Sequence, residues 1–344
     1  MTEEVKPKLK LAIYWGAACG GCCVSILDVH EKLFTVVGAA DIVFWPIALD
    51  IKYKDVEEME DAYIDVCLFN GAIRNSENEE IAHLLRKKTK IFVAYGSCAH
   101  LGGIPGLANF SSKEGIFKRA YHESESTVNQ EHVEPQTETK VAEGTLNLPV
   151  FYEDVRKLDD VVDVDYYLPG CPPQTERLVE VFMAIVTGAE LPPKGSVLGA
   201  HQKSQCDECK REKTENKLIK EFKRPFEIDD DGKTCFLEQG VICMGPATRG
   251  GCGVRCIEGN APCRGCYGPS EGITDPGAKM MSALATMIDS NDPEEIKKII
   301  EQIDDIAGTL YRFSLPSSYF RRKIMGNGLG HIRKEKIYQE TPFY

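Results

Sequence analysis

The sequence predicts a doubly wound α/β fold over roughly its first 190 residues, because strand patterns and helical patterns alternate there. Short apolar runs rich in β-branched or aromatic residues indicate five buried strands, at 9–15, 41–47, 63–70, 90–96 and 164–170. Helical patterns fall between and after them, at 23–37, 55–62, 77–88 and 173–187. Strands separated by helices favour a parallel sheet with helices on both faces.

The composition changes near residue 190, which predicts two domains, 1–190 and 191–344. A segment rich in proline and glycine, LPPKGSVLGAHQKSQ, is typical of a domain boundary. The 61 residues of 206–266 then hold eight cysteines and many glycines, so we expect a mostly irregular domain with some helix that needs cross-links to fold.

Three other segments carry smaller expectations. The polar stretch 111–150 is interpreted as an insertion between the fourth and fifth strands, a surface loop with some helix. Residues 293–306 predict one helix. The basic stretch 321–336 is interpreted as a solvated face, with a docking surface for an acidic partner as the alternative.

Charge and hydropathy exclude several classes of protein. With 41 basic and 53 acidic residues the net charge is −12, which argues against a nucleic-acid binder. No run of about 18 apolar residues is present, and the start of the sequence has no export signal, so we expect a cytoplasmic protein without a membrane partner. In that reducing compartment the 14 cysteines are expected to bind metal or to serve catalysis rather than to form disulfides.

Four cysteines of the first domain follow predicted strands. Cys19 and Cys22 come after the first strand, Cys98 after the fourth and Cys171 after the fifth. Because ligands of an open parallel sheet bind at the carboxyl ends of its strands, we expect these thiolates to converge. Four thiolates suit a tetrahedral zinc ion or an iron–sulfur cluster.

The alternative is that these cysteines are free and pack in the core, as unpaired cysteines often do. The four lie in turns rich in glycine or proline, whereas Cys67 lies in the middle of a strand and is assigned to packing. Cys23 leaves a choice open, since the tandem pair Cys22 and Cys23 could bind metal in place of Cys19 and Cys22; we prefer Cys19 with Cys22.

The second domain supplies eight more thiolates, enough for two sets of four: Cys206-x-x-Cys209, Cys235-x7-Cys243 and Cys252-x3-Cys256-x6-Cys263-x-x-Cys266. With the first set this makes three cubane clusters, and Cys23 and Cys67 remain. Two zinc ribbons are the alternative, disfavoured by the irregular middle spacings. His201, near Cys206, is expected to be a solvated loop residue, and His100 to pack or to hydrogen-bond near Cys98. No base or nucleophile is obvious, so the pattern indicates an electron carrier without catalytic residues of its own.

The motifs WGAACGGCCVS, GSCAHLGGIPGLAN, LPGCPP and CFLEQGVICMGPAT, followed by GGC and PCRGC, resemble in this order the cluster motifs of nickel-iron hydrogenase small subunits. The resemblance implies a flavodoxin-like first domain and a partner large subunit that holds the nickel-iron centre. It also implies three ligand sets, a proximal set of Cys19, Cys22, Cys98 and Cys171, a medial set of Cys252, Cys256, Cys263 and Cys266, and a distal set of Cys206, Cys209, Cys235 and Cys243.

Three positions depart from many members of that family. Cys206 stands where many have histidine, and Cys256 lies near a position where proline accompanies a three-iron medial cluster. Both changes imply three all-cysteine 4Fe-4S clusters of low potential, since neutral imidazole in place of thiolate raises a cluster's potential. Ala18 stands where many have a glutamate, which puts a proton route at that position in doubt.

The resemblance is strongest to the archaeal, cytoplasmic, methyl-viologen-reducing type that does not reduce the deazaflavin coenzyme. It implies that electrons from H2 pass through a small 2Fe-2S subunit to heterodisulfide reductase in methanogenesis. The alternatives are a deazaflavin-reducing or other cytoplasmic nickel-iron hydrogenase, and a quinone-reducing respiratory subunit, a family that has tandem cysteines but lacks the eight cysteines of the second domain.

Overall fold

The computed structural model describes residues 8–214 and 218–321, and it contains a five-stranded parallel sheet. Its strands are β1 (Leu9–Trp15), β2 (Ala40–Phe44), β3 (Ile64–Asn70), β5 (Thr89–Tyr95) and β9 (Tyr166–Leu168), arranged in the order β2-β1-β3-β5-β9. Counted by their order in the chain, these strands follow the 2-1-3-4-5 arrangement of flavodoxin-like folds. The predicted fold class and all five predicted strands are confirmed.

Alternate residues of each strand enter different apolar cores, as the two-residue repeat of a strand requires. On β1, Leu11 and Ile13 face one core, whereas Ala12 and Tyr14 face the other. The described helices are α1 (Gly21–Leu27), α2 (Leu33–Ala39), α3 (Tyr53–Glu58), α4 (Ser76–Lys88), α5 (Ser97–Leu101), α6 (Lys113–Tyr121), α7 (Thr175–Thr187), α8 (Arg255–Glu258), α9 (Pro276–Met287), α10 (Pro293–Glu301) and α11 (Ile306–Leu310).

Two predicted helices are each divided in the structure. The helix predicted at 23–37 becomes α1 and α2, because His30 adopts a left-handed conformation with φ of 53° between them. The helix predicted at 293–306 ends at Glu301, and Asp305 begins α11 by accepting a hydrogen bond from the backbone N–H of Gly308. In both cases the apolar spacing continues across the break, so periodicity alone does not reveal it.

The insertion at 111–150 contains the expected helix, α6, and a hairpin that the sequence pattern does not predict. Its strands β6 (Glu138–Val141) and β7 (Gly144–Asn147) pair with each other, and all their residues are exposed. A hairpin without a buried face has no alternation of apolar and polar residues to predict it. Two further short strands, β4 (Ile73–Asn75) and β8 (Phe151–Arg156), pair antiparallel beside the sheet.

The cysteine-rich part has little regular structure, as expected. Between residues 199 and 275 the longest helix of the described residues is α8, with four residues. A separate apolar core forms further along, from side chains between Ile219 and Leu315 that pack around α9, α10 and α11. The basic stretch 321–336 lies outside the described residues apart from Arg321.

In the part of the chain that the structure describes, no helix combines the length and the apolar character that crossing a bilayer would need.

A buried carboxylate joins the last strand to its neighbours. Asp165 lies immediately before β9 and accepts hydrogen bonds from Arg86 (2.7 Å) and the N–H of Phe92 (2.8 Å), while Lys194 lies 2.6 Å from its other oxygen. Burial alone would raise the pKa of this carboxyl group, but the bonds from Lys194, Phe92 and Arg86 outweigh burial and hold its pKa below the usual value.

We expect Asp165→Asn to lower the free energy of unfolding by about 3 kcal/mol at neutral pH, because it leaves buried cationic groups unpaired. A lowered folded-state pKa stabilises the fold above the unfolded pKa, so the difference between parent and variant should shrink as pH falls below about 4. Urea-unfolding midpoints of the purified complex measure both effects. Asp163→Asn, at an exposed position two residues away, is the control; an equal loss in both variants would contradict the assignment.

Candidate metal centres

The first four predicted ligands lie at the carboxyl ends of three strands. Cys19 follows β1 and Cys22 lies in the first turn of α1, whereas Cys98 begins α5 after β5 and Cys171 follows β9. Burial raises the pKa of the Cys22 thiol, and the charges of Cys98, Cys171, Cys19 and Cys23 raise it further. The fold therefore brings these thiols within electrostatic reach of one another.

Two glycines leave room for these thiols. A Cβ atom on Gly96 would lie 2.4 Å from the Sγ of Cys22, and one on Gly103 would lie 2.6 Å from the Sγ of Cys98. Both glycines have positive φ, 87° and 58°. The backbone thus approaches the thiols closely, as the binding of a bulky group by short turns requires.

The two remaining cysteines of the first domain are placed differently. Cys23 is 2% exposed, and its Sγ accepts a hydrogen bond of 3.3 Å from the side-chain amide of Asn70. Burial raises the pKa of Cys23, while N–H groups of Asn70 and Trp45 oppose that rise. Cys67 is fully buried within β3, beside Ala12 and Phe92 of the neighbouring strands. Cys67 thus has the position of a packing residue, and Cys22, rather than Cys23, interacts with Cys98, Cys171 and Cys19.

The second set lies next to the first. Burial raises the pKa of Cys266 to about 12, and the charges of Cys171, Cys256 and Cys252 contribute to the rise. The backbone N–H of Cys171 donates to the Cys266 thiol. Cys256 lies in α8 and is exposed. The predicted medial and proximal sets are therefore neighbours through Cys266 and Cys171.

The third set adjoins the second. The pKa of Cys206 is raised to about 12 by burial and by the charges of Cys243, Cys235 and Cys209, although Lys213 opposes this. The backbone N–H of Cys263 donates to the Sγ of Cys243 over 3.3 Å. The predicted medial and distal sets are thus neighbours through Cys263 and Cys243.

The spacing of the thiols bears on the kind of metal group. Among the described residues, no three His, Cys, Asp or Glu side chains are arranged to hold a single metal ion. Each set groups thiol donors alone at a wider spacing, and in a cubane cluster each iron takes its own thiolate. The donors and the glycine clearance therefore fit an iron–sulfur cluster better than a zinc ion.

Two arginines add positive charge near the medial thiols. Arg264 stands between Cys263 and Cys266 and is partly buried; burial and the charge of Arg312 lower its pKa, while Cys243, Cys256 and Cys263 oppose this. Neither arginine forms an ion pair within residues 8–214 and 218–321. Their charge is therefore available to offset that of thiolates.

The two histidines near cysteines behave as expected. His201 is 59% exposed and pairs with Glu208 at 3.0 Å, so it is a solvated loop residue. His100 packs against the ring of Tyr167, with centroids 4.6 Å apart, and burial lowers its pKa to about 4. Sequence reasoning missed Gln205, whose side-chain amide donates to the Sγ of Cys252 over 3.1 Å. Its position beside Cys206 was the one available signal.

A family model described as NADH ubiquinone oxidoreductase, 20 Kd subunit, matches residues 19–185. That range contains the whole sheet from the end of β1 and all four cysteines of the first set. The fold, the thiol sets and this match together define the chain as an iron–sulfur subunit of an oxidoreductase.

Curated relatives make the identification more specific. The chain is 42% identical over 322 residues to the iron-sulfur subunit of the F420-non-reducing hydrogenase of Archaeoglobus profundus, which covers 92% of this chain and 99% of the relative. It is 40% identical over 327 residues to the corresponding F420-non-reducing hydrogenase chain of Methanothermobacter marburgensis, covering 93% and 99%. A solved [NiFeSe]-hydrogenase chain from Dm. baculatum covers 77% of this chain, with 20% identity and a TM-score of 0.49; 96% of that chain is covered.

The chain belongs to the family of F420-non-reducing hydrogenase iron–sulfur subunits, which are nickel-iron hydrogenase small subunits. It is thus a subunit of an oxidoreductase that acts on hydrogen as donor, and the resemblance drawn from its cysteine motifs is confirmed.

We expect Gly96→Ala to lower the iron bound per chain, because the added methyl group would collide with the Cys22 thiol. The measurement is iron analysis of the anaerobically purified complex. Gly195→Ala is a matched control, since Gly195 has nearly the same φ, 88°, and no atom within 4 Å of its Cβ position. A full iron content in the Gly96 variant would contradict the placement of Cys22.

Proposed function

We propose that this chain relays electrons, released from H2 in the partner large subunit, through three 4Fe-4S clusters to a low-potential acceptor. The observation that carries the proposal is the continuous row of thiol sets, in which Cys171 adjoins Cys266 and Cys263 adjoins Cys243. The clusters would supply one-electron carriers, and the chain would hold, bury and tune them.

The proposed ligands are those predicted from the sequence. Cys19, Cys22, Cys98 and Cys171 would hold the proximal cluster, and Cys252, Cys256, Cys263 and Cys266 the medial one. Cys206, Cys209, Cys235 and Cys243 would hold the distal cluster. Backbone N–H groups support this role, because the N–H of Gly245 and the N–H of Cys263 both donate to Cys243 and so stabilise its thiolate.

Electrons would enter at the proximal set, which lies at the surface. Cys19 and Cys171 are exposed, and β1, α1 and α2 carry exposed apolar side chains beside this end of the sheet: Trp15, Val24, Leu27 and Phe34. An apolar surface around exposed ligands is typical of a subunit interface. This supports a large subunit with the nickel-iron centre as the protein that covers the proximal set.

Electrons would leave from the distal set, by way of a small 2Fe-2S subunit, to a heterodisulfide reductase complex in methanogenesis. Two observations support this acceptor: every ligand in the row is a thiolate, which favours a low potential, and the named relatives are F420-non-reducing hydrogenases. A deazaflavin-reducing or other cytoplasmic nickel-iron hydrogenase is the alternative.

We further propose two domains, 1–190 and 191–344, in a cytoplasmic protein. Separate apolar cores support the division, although the core of the first part reaches Leu198. The fourteen cysteines are all free of disulfides, which agrees with a reducing compartment.

The anaerobically purified complex should hold about twelve irons in this chain, four for each cluster, and no zinc. Metal analysis, corrected for the iron of the partner subunits, measures this content. An iron count near eight, or one zinc per chain, would overturn the three-cluster assignment.

Cys256→Pro should convert the medial cluster into a three-iron form, because one iron loses its thiolate while the other three ligands remain. Electron paramagnetic resonance of the oxidised complex detects this form by a signal that an oxidised 4Fe-4S cluster lacks. Cys67→Ser, at the buried cysteine outside the three sets, serves as the control. An unchanged spectrum in Cys256→Pro would exclude Cys256 as a ligand.

The acceptor is tested by supplying H2 to the purified complex with either viologen or deazaflavin. We expect reduction of viologen alone, and co-purification of a large subunit that carries two terminal Cys-x-x-Cys pairs. Deazaflavin reduction would favour the alternative enzyme, and the absence of such a subunit would contradict the proposed relay.

A further inference from the structure

The proximal and medial thiol sets are contributed by distant parts of the chain, and a buried serine connects them. Ser97 immediately precedes Cys98 and is 1% exposed. Its hydroxyl lies 2.5 Å from the carbonyl oxygen of Cys266 and 2.9 Å from that of Gly170, the residue before Cys171. One side chain thus contacts the backbone beside two proximal thiols and the backbone of a medial one.

A second connection comes from the start of α7, three residues after Cys171. The side-chain amide of Gln174 donates to the carbonyl oxygen of Cys252, and Arg177 donates to that of Gly251 over 3.2 Å. Both acceptors belong to the loop that carries the first medial thiol. An exposed ion pair between Glu176 and Arg255, at 2.6 Å, adds little because water screens it.

These bonds differ in kind from those within one set. Ser97 and Gln174 are not proposed ligands, yet each donates to the backbone carbonyl of a medial cysteine, at the two ends of the Cys252–Cys266 segment. Buried carbonyl groups need such donors, and a hydrogen bond with good geometry restricts both distance and orientation. The two residues therefore hold both ends of the medial segment against the proximal turns.

We propose that Ser97 and Gln174 are positioning residues that fix the separation between the proximal and medial clusters. This inference rests on the proposed relay. Electron transfer between two clusters slows steeply as their separation grows, so a small shift of the medial segment would impede the relay while leaving every ligand in place.

The test uses Ser97→Ala and Gln174→Met in the complete hydrogenase complex, since methionine keeps the length of glutamine but has no N–H to donate. The measurement is the magnetic coupling between the reduced proximal and medial clusters, seen as splitting in electron paramagnetic resonance spectra. Such coupling falls with the cube of the separation, so it reports position rather than activity. Ser25→Ala is the control, because Ser25 is equally buried and donates to the carbonyl of the proximal ligand Cys22 over 2.8 Å without reaching the medial set.

We expect unchanged iron content and a weakened splitting in both test variants, with the splitting of the parent retained in Ser25→Ala. Parental splitting in both test variants at full iron content would overturn the inference. If Ser97→Ala loses iron, the half-buried Gln174→Met decides the question alone. A parent complex without a coupled pair of clusters would instead refute the proposed relay itself.

Discussion

The close approach of buried thiols to one another is the constraint on which the rest of this chain depends. Burial and neighbouring thiols together raise the pKa of Cys22, Cys206 and Cys266, so a ligand set of thiolates is unfavourable unless positive charge replaces its protons. A cationic iron–sulfur core would supply that charge. Gly96 and Gly103 give the core room, and the backbone N–H of Cys263 stabilises a thiolate.

The same constraint explains the contrast between the two parts of the chain. The parallel sheet gathers four cysteines with ordinary strand-to-helix turns, because its carboxyl ends converge. The cysteine-rich part has no such scaffold and little regular structure, and its turns follow the thiols instead. Arg264 and Arg312, without ion pairs among the described residues, add positive charge in the region where medial and distal thiols meet. Electrostatic compensation thus comes from the chain itself as well as from the bound groups.

The sheet could be predicted from the sequence because its strands are buried on both faces and form apolar runs. The proposed ligands could be named because turn-borne cysteines at strand ends differ from Cys67 within a strand. The breaks at His30 and near Asp305 were missed, since they depend on local backbone conformation that apolar spacing does not record. Ser97 and Gln174 could not be found either, because their partners lie 169 and 78 residues away and only the folded chain brings them together.

Anomalous X-ray diffraction from crystals of the complete complex tests the central claim most directly, with data collected at the iron and zinc absorption edges. The account predicts three iron peaks in this chain, each enclosed by one of the three cysteine sets, with the Cys252–Cys266 set between the other two. It predicts no zinc peak. Two iron peaks, or a zinc peak among the eight cysteines after residue 205, would contradict it.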